Sequence, residues 1–147
     1  YPLYSFTKGS KVHWSEVPFL VEAENDEDLA VLKELATILT DKIYEVKSEG
    51  RQHLHAAAVM VNNFTNHLYT LASEHCAEKD VPFEVLHPIM KQGHEKAIAS
   101  SPKQAQTGTA VRGDDQTLER HLATISDPEV KELYRLLSKS IQKTHEL

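Results

Sequence analysis

Three polar residues, His55, Asn62 and Asn66, recur at spacings that place them on one side of a helix. They lie in residues 51–79, a stretch without Gly or Pro and rich in Ala and Leu, so the composition predicts one long helix. At about 100° of rotation per residue, the three side chains form one narrow polar line. An amide both donates and accepts hydrogen bonds, and an imidazole exchanges a proton near neutral pH. This polar line is therefore suited to bind and polarise a carbonyl or hydroxyl substrate.

The polar line also has a structural interpretation. Between Leu54 and Val61 hardly any position other than His55 is polar, so we expect this part of the helix to be buried on nearly all sides. A buried imidazole or amide without a partner costs roughly 1–3 kcal/mol. The polar side chains must then contact neighbouring helices, ordered water or a ligand. The sequence leaves open whether they bind a substrate or only bridge helices.

A loop with two glycines is a second candidate for ligand binding. Thr107 and Gly108 lie in it, and Arg112 supplies a cation shortly before a predicted helix start. Backbone amides near a helix start, together with a guanidinium group, suit a carboxylate or a phosphate. The alternative is that Arg112 pairs with Asp114 or Asp115 and only orders the turn.

Metal and nucleotide chemistry find less support in the sequence. Nine histidines are present, yet no two are three or four residues apart and no His-Glu-x-x-His motif occurs, so we expect no metal site. The five glycines form neither GxGxxG nor GxxxxGK, so this chain is expected to hold no dinucleotide by such a turn. The single cysteine, Cys76, excludes an internal disulfide and is expected to be a small buried apolar residue.

Length and charge set the broad class of protein. With 147 residues, the chain suffices for one domain or for a small domain with an appendage. The formal net charge is −6 and no Lys or Arg cluster occurs, which argues against a nucleic-acid partner. No apolar run approaches the ~20 residues needed to span a membrane, and the first residues lack the features of a signal peptide. We therefore expect a cytoplasmic protein without a membrane partner.

The first third of the chain is predicted to form a strand–helix–strand unit. Residues 16–23 and 42–47 have the alternating pattern of strands, and residues 25–40 between them have leucines at helical spacing. These elements predict a βαβ crossover within residues 1–48. Two or three strands rarely form a stable layer alone, so this unit is expected to be a fragment of a larger sheet.

The remaining residues, 49–147, are predicted to be helical only. After the long helix, a second helix begins near Pro82, and Pro88 is expected to kink or divide it. Asp114 is the predicted N-cap of a further helix, and residues 126–128 are expected to cap the last one. The predicted fold class is therefore mainly α, with a small βαβ unit in front of a helical domain.

Five segments together resemble the sequence pattern of one bacterial family: YPLYSF, VPFLVEA, SEGRQHLHAAAVMVNNFTNHLY, AQTGTAVRGD and HLATISDPEVKELYRLLS. The members combine an N-terminal Rossmann-like NADP-binding domain with a C-terminal helical domain of unknown function. They are distant relatives of pyrroline-5-carboxylate reductase and 6-phosphogluconate dehydrogenase. The resemblance implies that residues 1–48 are the last piece of the Rossmann-like domain. Residues 49–147 would be a helical substrate and dimerisation domain of the 6-phosphogluconate dehydrogenase C-terminal type.

The resemblance also bears on the site residues. It implies that the long helix corresponds to the helix facing the nicotinamide in the wider superfamily, and so supports a substrate-side position for its polar residues. The resemblance implies that residues 1–4 lie near the cofactor. Relatives commonly read His-Pro-Leu-Gln where this chain has Tyr-Pro-Leu-Tyr, which weakens a catalytic role for that segment. The predicted site residues are His55, Asn62 and Asn66 as catalytic residues, with Asn63, Thr107, Gly108 and Arg112 as substrate-binding residues.

The function implied by the resemblance is that of an NAD(P)-dependent oxidoreductase, with NADP as the expected cofactor of the full-length protein. It would transfer a hydride between the nicotinamide and a small carbonyl, imine or hydroxyl substrate. This chain would supply the substrate wall and a homodimer interface; alone, it is expected to hold no cofactor and to be inactive. The alternative is a non-catalytic helical dimerisation module. The homodimer is expected because a twofold partner can cover the second apolar side of the long helix.

Overall fold

The computed structural model describes residues 1–146. The chain divides into two compact units, Tyr1–Asn66 and a second one that begins at His67. The predicted boundary after residue 48 separates the part of the chain that contains strands from the helical part. It does not coincide with the division between Asn66 and His67. As a domain boundary it stays a prediction.

The first unit contains the predicted strand–helix–strand arrangement. Strands β1 (Phe19–Val21) and β2 (Ile43–Glu45) form a two-stranded parallel sheet, and helix α1 (Asp26–Thr37) connects them. Within the sheet, Phe19 pairs with Ile43 and Val21 with Glu45. The predicted βαβ unit and the mainly helical class are thus confirmed, although both strands are shorter than the sequence pattern suggested.

The first residues of the chain lie against β1. Pro2 forms an antiparallel bridge with Phe19. The Leu20 amide donates to the Tyr1 carbonyl oxygen at 2.9 Å, and the Leu3 amide donates to the Pro18 carbonyl oxygen at 3.0 Å. These backbone hydrogen bonds hold residues 1–3 against β1. They therefore determine which part of the first unit the Tyr1 side chain can reach.

Three consecutive helical segments form the predicted long helix. Helix α2 (Ser48–Ala58) leads directly into a π-helical turn (Val59–Phe64) and then into helix α3 (Thr65–Glu78). Together these segments cover residues 48–78, which agrees with the predicted residues 51–79 within three residues at each end. The sequence did not indicate that the middle six residues are π-helical, an arrangement that is rare and frequently found at functional sites.

The predicted burial of residues 54–61 is wrong. Leu54 is 38% exposed, Met60 61% and Val61 74%, and Phe64 just beyond them is 59% exposed. His55, Asn62 and Asn66 are exposed as well. The apolar pattern correctly identifies side chains that favour burial, but residues 1–146 do not cover them.

The second unit is entirely helical among the residues that the structure describes. Pro88 divides the predicted helix into a 3₁₀ turn and an α-helix, as expected. The Asp114 carboxylate accepts a hydrogen bond from the Thr117 amide at 3.0 Å, which confirms it as an N-cap. After α3 the helical elements are a 3₁₀ turn (Phe83–Leu86), α4 (His87–Ala99), α5 (Pro102–Ala105), a 3₁₀ turn (Ala110–Arg112), α6 (Asp115–Thr124) and α7 (Pro128–Thr144).

The buried apolar core is small. It comprises Val17, Leu20, Val21 and Ala36 in the first unit, with Cys76, Ala110, Leu118 and Leu122 in the second. The burial of Cys76 confirms its predicted role. The chain exposes 11323 Å², whereas a compact protein of this mass exposes about 7,600 Å², and two separate compact proteins of half the mass about 9,100 Å². An unusually large part of its surface is therefore uncovered, whatever the arrangement of the two units.

Candidate functional site

A cavity of about 630 Å³ in the first unit is lined by three of the predicted site residues, His55, Asn62 and Asn63. We call it the N-terminal cavity. Its other lining residues are Tyr1, Leu3, Tyr4, Ser5, Ala58, Val59 and Val61. Helix α2 and the π-helical turn form one side, and residues 1–5 form the other. The cavity volume lies in the ~300–1,000 Å³ range of small-molecule sites.

The π-helical turn explains how the polar line differs from its prediction. A π turn closes hydrogen bonds between residues five apart, so the uniform rotation of about 100° per residue does not hold across it. Asn62 and its neighbour Asn63 both line the cavity. Asn66 lies on α3, outside the lining. The structure therefore brings together three of the four predicted site residues of this helix.

Tyr1 contributes a hydroxyl group to the same site. Its Oη lies 3.4 Å from His55 Nδ1, a long hydrogen bond in which the donor depends on the imidazole tautomer. The departure from His-Pro-Leu-Gln argues against a role for residues 1–4, yet Tyr1 and Tyr4 line the cavity. The signal for them was available, because the resemblance implied that this segment lies near the cofactor.

The lining of the N-terminal cavity combines apolar side chains with polar groups. No Lys, Arg, Asp or Glu is among its lining residues within the described part of the chain. Its polar groups are the hydroxyls of Tyr1, Tyr4 and Ser5, the amides of Asn62 and Asn63, and the His55 imidazole. Hydroxyls and amides donate and accept hydrogen bonds without requiring a charged partner. The arrangement suits a carbonyl or hydroxyl group better than a phosphate.

The remaining predicted substrate-binding residues, Thr107, Gly108 and Arg112, belong to the second unit. Gly108 has a φ of +114°, which side-chain-bearing residues rarely adopt, so the loop depends on a glycine there. The predicted site residues therefore belong to two units, and the role of this loop in substrate binding stays a prediction.

Arg112 does not form the alternative pairing considered for it. Within residues 1–146, its guanidinium makes no salt bridge with Asp114 or Asp115. Asp114 instead accepts from Thr117, and Asp115 accepts from the Gln142 side chain at 3.1 Å. The hydrogen bonds from Thr117 lower the pKa of Asp114, and the charges of Arg120 and Arg112 lower it further. The exposed Arg112 guanidinium thus acts on Asp114 only through its charge.

No group of three or more His, Cys, Asp or Glu side chains among residues 1–146 is arranged to hold a metal ion. None of the helices described is long and apolar enough to cross a membrane.

The fold is that of a mainly helical protein with a small parallel βαβ unit at its start. The chain matches the family DUF2520, a domain of unknown function, over residues 17–141. The chain therefore belongs to the DUF2520 family. No curated protein sequence matches it.

Two solved structures are similar to the chain. BF3122 from Bacteroides fragilis, described as a candidate NADP oxidoreductase, is 42% identical with a TM-score of 0.88 over 97% of this chain and 56% of that one. TM1727 from Thermotoga maritima is 22% identical with a TM-score of 0.79 over 99% of this chain and 60% of that one. The second likeness concerns the fold alone. The chain spans less than two thirds of the length of either structure.

Proposed function

We propose that this chain is the C-terminal part of an NADP-dependent oxidoreductase, in which it forms the substrate wall of the active site. The observation that supports this most strongly is the N-terminal cavity, where His55 lies beside the Tyr1 hydroxyl and two asparagine side chains share the lining. The likeness to BF3122, described as a candidate NADP oxidoreductase, supports the cofactor and the reaction class.

The cofactor itself would be held by the remainder of a longer protein. The residues of this chain do not fit a dinucleotide, because the turn between β1 and α1 contains no glycine to admit a pyrophosphate. In such enzymes the bound NADP carries the hydride. The exposed apolar residues of α1 and its C-cap are consistent with a fragment of a larger sheet layer, since Val31 is 55% exposed, Leu35 56% and the C-cap Ile38 76%.

The residues of this chain would bind the substrate oxygen and move its proton. The Asn62 and Asn63 amides hydrogen-bond a carbonyl or hydroxyl oxygen and orient it. Tyr1 Oη supplies or removes the proton at that oxygen, and His55 Nδ1 restores the protonation state of the hydroxyl. The substrate class that best fits the uncharged lining is a small carbonyl or hydroxyl compound.

The second part of the proposal is a homodimer. Helix α2 and the π-helical turn expose Leu54, Met60 and Phe64, and the chain exposes about 2,000 Å² more than two compact proteins of half its mass would. Obligate dimers bury about that much surface or more in largely apolar interfaces. A twofold partner covers such a face with an identical one. The alternative of a purely structural dimerisation module would not require the hydroxyl and amide lining of the N-terminal cavity.

The test begins with the complete open reading frame. The full-length protein should oxidise NADPH in the presence of a small carbonyl compound from a broad panel, or reduce NADP with the corresponding alcohol. This chain alone should show no saturable NADPH binding in the low micromolar range by titration calorimetry. Saturable binding to this chain would contradict the assignment of the cofactor site to other residues. An open reading frame without a dinucleotide-binding turn would overturn the proposed function itself.

A further inference from the structure

A separate cavity lies within the second unit. It has a volume of about 370 Å³, and α3, α6 and α7 contribute its walls. Seven of its eleven lining side chains are aliphatic, and no Asp, Glu, Lys or Arg lines it within the described residues. We call it the apolar cavity. A charge placed among such side chains would lose its hydration without gaining a partner, so this cavity favours the apolar body of a ligand.

A smaller cavity of about 40 Å³ adjoins the apolar cavity and carries three carboxylates. The two cavities share four lining residues, Leu71, His75, Ile125 and Val130. The remaining lining residues of the smaller cavity are Glu74, Glu78, Ser126 and Asp127. We call it the acidic cavity. About 10–15 Å³ is enough to hold one water molecule, so 40 Å³ admits a group of the size of an ammonium ion.

The carboxylates of the acidic cavity are not neutralised by cationic side chains. Within residues 1–146, none of Glu74, Glu78 and Asp127 forms a salt bridge. Asp127 is the N-cap of α7, whereas Glu74 and Glu78 lie one turn apart on α3. Lys79 reaches the edge of this cavity, but its ammonium donates to the Ser126 hydroxyl at 3.4 Å and not to a carboxylate. The acidic cavity therefore favours an added cation.

We propose that the two adjoining cavities bind a small molecule with an apolar body and one cationic amine. The body packs against the leucines of α3 and α7 in the apolar cavity, and the ammonium donates its hydrogens to the carboxylates of the acidic cavity. A cavity of about 150 Å³ already holds one benzene molecule, so 370 Å³ admits a body of roughly twice that size. No lining residue is shared with the N-terminal cavity, so this proposal does not depend on the proposed oxidoreductase site.

The experiment compares three probes with the same apolar body. 4-Phenylbutylamine, 4-phenylbutanol and 4-phenylbutyrate are titrated into the full-length protein by calorimetry. The amine should bind saturably and at least about fivefold tighter than the alcohol, because one exposed ion pair contributes up to about that factor. The carboxylate should bind most weakly, since like charges repel. High salt should reduce the preference for the amine by screening these charges. Equal affinities, tightest binding of the carboxylate or no saturation would overturn the proposal.

Two double variants locate the amine. Glu74→Gln with Glu78→Gln should weaken 4-phenylbutylamine binding about fivefold or more and leave 4-phenylbutanol binding unchanged. Glu84→Gln with Glu95→Gln is the matched control, because it changes the net charge equally at two exposed glutamates outside both linings. All four side chains are exposed, so both variants should fold, which melting curves check. An equal loss of amine binding in the control would mean that only net charge matters. Amine affinity that falls as the protein concentration rises would mean that a second copy fills the apolar cavity. Either result would overturn the proposal.

Discussion

Glu22, directly after β1, forms an ion pair with Arg51 in α2, with 2.8 Å between Oε2 and Nη2. The same carboxylate accepts hydrogen bonds from the Ser48 hydroxyl at 2.8 Å and from the Ser48 amide at 3.2 Å. Arg51 also donates to the Val46 carbonyl oxygen at 3.0 Å. These contacts fix the start of α2 against the end of the sheet. The position of His55, one turn farther along α2, depends on them.

Stability should depend on pH through Glu22. The Ser48 hydrogen bonds, followed by Arg51, lower the pKa of Glu22 in the folded chain. A lowered pKa contributes stability above the ordinary glutamate pKa of about 4.3, and this contribution is lost as the pH falls below it. Glu22→Gln should therefore melt at a lower temperature than the unaltered chain near neutral pH, and this difference should shrink toward about pH 3.

Melting temperatures measured across that pH range test this prediction. Glu24→Gln is the matched control, because Glu24 is also exposed and forms none of the hydrogen bonds or ion pairs found for Glu22 among the described residues. A melting-temperature difference for Glu22→Gln that stays constant with pH would contradict the assigned role of the carboxylate.

Two helical glycines should respond differently to the same substitution. An added Cβ at Gly93 in α4 would meet nothing within 4 Å, whereas at Gly50 in α2 it would lie 2.9 Å from Val46 Cγ1. Gly93→Ala should raise the free energy of unfolding by about 0.5–1 kcal/mol, because alanine loses less backbone entropy in a helix. Gly50→Ala should gain less or be destabilising, since the Val46 side chain must move. Urea unfolding measures both, and an equal gain at both positions would show that Val46 moves freely.

The secondary structure was largely predictable because its signals are local. The Asp114 side chain caps α6 as predicted, and the Asn25 side chain caps α1 at the start of the predicted helical residues 25–40. Pro88 ends one helical segment and begins another because it lacks an amide hydrogen. Each of these signals acts within a few residues of its own position, so the sequence pattern is sufficient to locate it.

The candidate site was less predictable because it depends on contacts between distant segments. Tyr1 approaches His55 through the pairing of residues 1–3 with β1, which no local pattern indicates. The π-helical turn has no residue signature of its own, so a uniform helix was assumed through Asn62. The apolar pattern of residues 54–61 shows which side chains favour burial, but it does not show that the described residues leave them uncovered.

In the full-length protein, His55→Ala should lower turnover by about 10²-fold or more while the fold stays intact, because a positioned acid–base group typically contributes 10²–10⁴-fold. Tyr1→Phe should lower it as well, since the proposed proton transfer passes through its hydroxyl group. Both His55 and Tyr1 are exposed, so neither change should lower the melting temperature much. NADPH oxidation with the substrate identified from the panel is the measurement.

His53→Ala is the matched control for His55→Ala. His53 lies on the same helix two residues earlier, is exposed, and does not line the N-terminal cavity. The His53→Ala variant should retain full turnover. Unchanged turnover in His55→Ala, with a lowered melting temperature, would assign His55 a structural role and leave the proton transfer without its base.

The dimer proposal makes a prediction about charge on the exposed face. This chain should sediment as a dimer at micromolar concentration. Phe64→Glu and Met60→Glu should shift it to the monomer mass, because a buried carboxylate without a partner opposes association. Phe64 is 59% and Met60 61% exposed in the single chain, so neither variant should disturb the monomer fold, which circular dichroism checks. Ile98→Glu is the comparison, since Ile98 is 73% exposed and belongs to α4, which is not part of the proposed interface. If Ile98→Glu dissociates the dimer and Phe64→Glu does not, the interface lies on α4. A monomer mass for the unaltered chain would instead mean that the apolar face of α2 and the π-helical turn is covered by other residues of a longer protein.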